Sequence, residues 1–239
     1  MSGAWQPKRF WEKSEVVPAE GGYTVALDGR PVRTPAKAAL VMPTRALAEA
    51  VAREWDAQDD LIKPQTMPLT RSANSAIDKV AKQHDEVAAL LAAYGETDLL
   101  CYRAEQPVDL VARQAAAWDP LLDWAADRLE ARLRPTSGIV PMPQDPDALA
   151  QLAAQTRAFD PFALAGFHDL VALSGSLILG FATVHRVESP ETIWQISRID
   201  ESWQQAQWGE DEEAAAHTAL KKQAFLDAAR FFSLLERDD

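Results

Sequence analysis

The side chains best suited to recognition chemistry gather between Trp194 and Glu213, in the stretch WQISRIDESWQQAQWGEDEE. Ile196, Ile199, Trp203 and Ala206 recur at +3, +4, +3 and make one helical stripe. Trp208 falls off that stripe, Gly209 interrupts it, and Glu210, Asp211, Glu212 and Glu213 follow. An aromatic anchor ringed by charge can hold a protein partner, which makes Trp203, Trp208 and the four acids candidate binding residues. The acids equally fit the first turn of a last helix, where the helix dipole favours negative charge. These residues alone leave both readings open.

Other constellations are weaker. Gly175-Ser-Leu-Ile-Leu-Gly180 has the spacing of a phosphate loop, but Phe181 stands where a lysine should reach the phosphates, and close helix packing accounts for it better. His185 with Glu188, and Glu213 with His217, can each share a helix face. Two ligands do not make a zinc site, so the first pair reads as a helix end near Pro190 and the second as a surface ion pair. Cys101 lies in the apolar run Leu99-Leu-Cys-Tyr102, a setting for an inert, buried thiol. Ser174 and Ser176 lack a nucleophile elbow, and Glu96 and Asp98 after Gly95 read as a cap and turn. No catalytic residue, cofactor site or metal site is assigned.

A chain of 239 residues is long enough to bury a real core. Its net charge of −12 is uneven. Residues 1–45 carry seven basic and four acidic side chains; the other 194 carry seventeen and thirty-two. So acidic a surface repels phosphate backbones, which argues against nucleic acid as a general partner. A single cysteine allows no internal disulfide. The longest apolar run, Leu170–Val184, is broken by Ser174, Gly175 and Ser176 and is too short to span a bilayer, so stable membrane insertion is not expected. The expected location is a bacterial cytoplasm, or the mitochondrial matrix if a targeting segment has been removed.

The elements that must position these residues change character near residue 43. Tyr23–Leu27, Asp28-Gly29 and Arg30–Thr34 read as a β-hairpin, with Ala38–Met42 a further strand and Arg9-Phe10-Trp11 opening the first. From Thr44, a good N-cap, the period turns helical, with Leu47, Val51 and Trp55 on one stripe and Glu54 and Asp56 on solvated faces. Helices are expected near 70–94, 110–133, 147–158, 160–185, 190–207 and 212–236. The fold class is α+β, a small β-rich N-terminal domain (1–43) followed by a larger multihelical domain (44–239). Trp55, Asp28 and Gly29 are structural candidates, and Trp55, Trp118 and Trp124 are expected in the core.

Ordered along the chain are Arg9-Phe-Trp11, Leu27-Asp-Gly-Arg-Pro-Val-Arg-Thr-Pro35, Leu47-Ala-Glu-Ala-Val-Ala-Arg-Glu-Trp-Asp-Ala-Gln58, Met67-Pro-Leu-Thr70, Ala76-Ile-Asp78, Glu96-Thr-Asp98, Trp118-Asp-Pro-Leu-Leu122, Ser197-Arg-Ile-Asp-Glu-Ser-Trp-Gln204 and Trp208-Gly209. This ordered set resembles the assembly chaperones for the catalytic head of the F-type ATP synthase, in the branch that handles the alpha subunit. The resemblance implies a non-enzymatic chaperone that holds the unassembled alpha subunit until the beta subunit replaces it. It also implies a functional acid soon after the Trp-Gly pair, which falls on Glu212 with a register open across 210–213. A general protein-interaction module and an unrecognised hydrolase or metal enzyme are the alternatives.

Overall fold

The structure is a computed structural model that describes residues 8–138, 142–209 and 211–236. Its N-terminal strands β1 (Ser14–Ala19), β2 (Gly22–Leu27) and β3 (Arg30–Pro31) form an antiparallel sheet in that order, with Val16 opposite Val25 and Leu27 opposite Arg30. Asp28 and Gly29 both have positive φ, 46° and 77°, as a tight hairpin turn requires. The Asp28 carboxylate also accepts from the backbone N–H groups of Glu12 and Lys13, at 3.1 and 2.9 Å, and so fastens the chain entering β1. Gly22 has no substitute, because a Cβ there would lie 2.1 Å from the Met42 carbonyl oxygen.

Three strand expectations need correction. The strand expected over Arg30–Thr34 is only β3, and Arg33 beyond it makes an isolated bridge. Ala38–Met42 supplies only isolated bridges, Ala39 to Arg33 and Met42 to Tyr23, because Lys37 turns back at φ 66° and Pro43 ends the run. Arg9-Phe10-Trp11 does not open β1; Lys8 instead bridges to Leu61. The Arg9 guanidinium donates to the carbonyls of Trp11, Asp56 and Gln58 and stacks on the Trp11 ring. The motif therefore ties the entering chain to the helix that follows.

That helix, α1 (Arg45–Asp56), starts where Thr44 Oγ1 accepts from Leu47 N, and it buries Leu47, Ala48, Val51 and Ala52. The expected helix over 70–94 is two, α2 (Pro68–Asp78) and α3 (His84–Ala92). Neither glycine nor proline marks the break. Asp78 accepts from Thr34 Oγ1 (2.7 Å) and Ala36 N (3.0 Å), which pins the end of α2 to the β unit, and Val80 turns into the core. Helix α4 (Val108–Arg128) stops before Leu133, because Glu130 is left-handed (φ 54°) and Leu129, Ala131 and Leu133 reach the core as irregular chain. A short parallel pair joins β4 (Tyr102–Arg103) to β5 (Thr136–Ser137).

The later helices are α5 (Pro146–Arg157), α6 (Pro161–Ser174), α7 (Leu177–Val184), α8 (Pro190–Ser197), α9 (Ile199–Trp208) and α10 (Glu212–Ser233). Three of them open with an Asp or Ser cap followed by proline, at Asp145, Asp160 and Ser189, which places the missing N–H where no intrahelical bond is lost. The expected helix over 160–185 is cut by Gly175, whose φ of 76° ends α6. One apolar cluster fills the helical body. A second runs from Trp11 through the sheet, α1 and α2 to Ala73 and takes in Phe231 of α10.

Candidate functional site

The segment Trp194–Glu213 has a locked base and an open tip. At the base, the expected helix over 190–207 breaks at Arg198, and the stripe from Ile196 to Ala206 is divided between α8 and α9. The Arg198 side chain explains the break. It stacks over the Trp194 ring at 5.0 Å, donates to the Ser174 carbonyl (3.1 Å) and pairs with Glu201 (2.8 Å). Asp200 accepts from Gln114 Nε2 at 2.6 Å, while Gln114 Oε1 accepts from Ala104 N. The fully buried Trp118 donates to the Ile196 carbonyl at 3.0 Å. Ile199 is buried, whereas Ile196 and Trp203 are half-buried against the main core and Ala206 is exposed.

The two tryptophans of this segment therefore part company. Trp203 packs inward; Trp208, at the end of α9, is 82% exposed. Gly209 (φ 90°) redirects the chain, and Asp211 caps α10 by accepting from Glu213 N and Ala214 N at 2.8 and 3.0 Å. The helix-start role thus falls to Asp211. Glu212 and Glu213 stand exposed in the first turn, with no side-chain hydrogen bond or ion pair among the described residues. Glu210 lies outside the described residues. The surface ion pair expected between Glu213 and His217 is not among those formed by the described residues, for both side chains point to solvent.

Burial in α10 begins at Phe225, so residues 212–224 extend along the surface over roughly 20 Å. Leu220 on this stretch is 71% exposed. Between Trp208 and Leu220 the described residues thus expose two large apolar side chains, Trp208 and Leu220, and the carboxylates of Glu212 and Glu213.

The residues that could have done covalent chemistry are occupied with structure. Ser176 Oγ accepts from Leu179 N at the start of α7 and donates to Asp98 at 2.7 Å, and Ser174 Oγ donates to the Leu170 carbonyl. Asp98 is fully buried and also accepts from Leu100 N and Ile178 N, so it caps a local turn and a helix distant in sequence. Burial holds its carboxyl above the ordinary carboxylate range. Burial, and next the Asp98 charge, push the neighbouring Cys101 thiol up to about 12. His185 packs against the half-buried Trp124 at 5.5 Å, and its pKa is lowered by burial, with Arg128 adding to the effect. Among the described residues, no group of three His, Cys, Asp or Glu side chains converges as a metal site, and no helix is long and apolar enough to cross a membrane.

Glu54 corrects an expectation. It does not occupy a solvated face. Its carboxylate accepts from Leu69 N, Thr70 N and Thr70 Oγ1 at 2.8, 2.8 and 2.6 Å, supplying from α1 the cap that Met67 cannot give α2. Trp55, beside it, is half-buried and meets Trp11 edge-on at 5.3 Å. Period counting could not find this role, because a carboxylate that caps a neighbouring helix looks like any surface acid.

The same fold is found in Atp12 from Paracoccus denitrificans, 52% identical, with a TM-score of 0.93 over 96% of this chain and 98% of that one. The chain belongs to the ATP12 chaperone family. The family model, described as ATP12 chaperone protein, matches residues 8–126, from the sheet into α4. An aspartate-to-lysine mutant of the Paracoccus protein matches equally well. A protein from Agrobacterium tumefaciens is 41% identical, with a TM-score of 0.92 over 96% of this chain and 87% of that one. The mitochondrial protein atp12 of Schizosaccharomyces pombe is 24% identical over 219 residues, 87% of this chain and 75% of that protein. ATP12 proteins are chaperones of ATP synthase assembly. The exposed end of α9 and the start of α10 lie outside the residues matched by the family model, but within a chain that the Paracoccus structures cover almost completely.

Proposed function

We propose that this ATP12 chaperone binds the unassembled alpha subunit of the ATP synthase catalytic head through the end of α9 and the start of α10, and is displaced when the beta subunit takes its place. It acts by holding, without chemical turnover and without a cofactor, in a bacterial cytoplasm. One observation carries the reading. Trp208 stands in solvent a few residues before Glu212 and Glu213, whose side chains make no hydrogen bond or ion pair among the described residues, on a segment whose base is fixed by Arg198 and Asp200. A large exposed aromatic next to free charge, on a held frame, is what a desolvating protein contact needs.

The test is the affinity of purified chain for isolated alpha subunit, with melting temperature measured in parallel. Trp208→Ala and Glu212→Lys should each weaken binding by about tenfold or more at unchanged melting. Glu212→Gln should weaken it less than Glu212→Lys, and Asp211→Ala should lower stability first, through loss of its cap. Equal, small losses from substitution at Asp211, Glu212 and Glu213 would return the segment to a helix start and nothing more.

A further inference from the structure

The face of α10 turned toward α9 carries a charge opposite to its tip. A cleft of about 470 Å³ opens between α4, the α8–α9 pair and α10, lined by Arg113, Trp194, Arg198, Gln205, Lys221 and Lys222, among others. A volume in the range of about 300–1,000 Å³ is what bound ligands and inserted side chains fill. Of the four cations, Arg198 is matched by Glu201. Arg113, Lys221 and Lys222 have no ion pair among the described residues. Three unmatched cations in one cleft stand out on a chain of net charge −12.

One cation of the cleft is already fixed. Arg198 is held against the Trp194 ring and the Ser174 carbonyl, so its guanidinium is in place before anything binds. The cations come from separate helices, one on α4, one at the α8–α9 junction and two on α10. No glycine-rich loop joins them, and apart from Arg198 at the start of α9 they lie within helices, so they do not gather into a cradle for a single phosphate. Several positive groups along an open cleft, with the amide of Gln205 beside them, match several carboxylates along one chain.

We propose that this cleft takes an acidic peptide segment of the same client, so that the client meets the acidic tip with a basic spot and the cleft with an acidic run. The proposal rests on the reading that α9 and α10 face the client. Opposed charges a few turns apart on one segment would fix the client's orientation as well as its affinity.

The probe is a fluorescent octaglutamate peptide, titrated against the full chain and against the double variant Arg113→Glu/Lys221→Glu, both substituted residues being exposed. The peptide should bind wild type, weaken as salt rises, compete with isolated alpha subunit, and bind the double variant about tenfold or more weakly at unchanged melting. Failure to bind wild type, equal binding to the double variant, or displacement by inorganic tripolyphosphate at matched concentration would overturn the proposal, the last by marking a small-anion site. The two readings fail differently. If wild type does not bind alpha subunit, the function proposed above fails. If Trp208→Ala abolishes that binding while Arg113→Glu/Lys221→Glu retains it in full, only the cleft assignment falls.

Discussion

Glu54→Ala should be among the most destabilising single changes to a side chain that faces neither core cluster. The substitution leaves α1 intact but strips α2 of its cap, orphaning the N–H groups of Leu69 and Thr70 and the Thr70 hydroxyl. A lost N-cap costs about 0.5–2 kcal/mol, and hydrogen bonds to a charged acceptor are worth about 1.5–3 kcal/mol each. Glu54 is only part-buried, so water recovers some of this, and the expected total is about 2–4 kcal/mol. For a chain of this size that is a fall in melting temperature of about 5–15 °C. Glu54→Gln keeps one acceptor oxygen and should lose about half as much. Thermal melting of both variants, with Thr70→Val completing a double-mutant cycle, reads the coupling directly. Melting of Glu54→Ala within about 2 °C of wild type would refute the capping argument. Unchanged melting with lost alpha-subunit binding would instead make Glu54 an interface residue.

Asp98→Ala orphans Leu100 N, Ser176 Oγ and Ile178 N inside the core and should cost about 3–5 kcal/mol by chemical denaturation. Asp98→Asn adds a test of sign. The folded carboxyl is held above its ordinary value, so the folded state binds the proton more tightly, and wild-type stability attributable to Asp98 falls as pH rises through the folded pKa. The deficit of Asp98→Asn should therefore be largest at acid pH, below the ordinary carboxylate value, and shrink as pH rises through the raised folded pKa, and a deficit that grows with pH contradicts the burial argument. Trp55→Ala removes a half-buried ring packed on Trp11 and should cost about 2–4 kcal/mol in a melt, with Trp55→Arg worse because it puts an unpaired charge against the second core cluster.

The β-unit and the order of helices were legible because their signals are local. Asp28-Gly29 between alternating runs specifies a tight turn, and Thr44 ahead of Leu47 and Val51 specifies a helix start. The breaks inside helices were not legible where their causes are distant. Asp78 ends α2 through Thr34 and Ala36, and Arg198 breaks the helix over 190–207 through Ser174 and Trp194. Periodicity runs straight through both points, since the residues on either side bury the same stripe. In the candidate site the sequence shows the Trp-Gly pair and the acids but cannot assign their shares. Trp203 lies on the helical stripe and packs inward while Trp208 lies off it and is exposed, but only the fold separates the capping Asp211 from the free Glu212. The cation cleft was invisible for the same reason, because Arg113 and Lys221 come to line one cleft only after α4, α8, α9 and α10 pack.

The most direct measurement is an equilibrium titration of isolated alpha subunit into this chain, repeated with beta subunit present and with assembled catalytic head in place of free alpha. Saturable binding to free alpha, progressive release by beta and no binding to the assembled head is the result the account predicts. Equal affinity for free alpha and the assembled head, or binding that beta does not reduce, would contradict it.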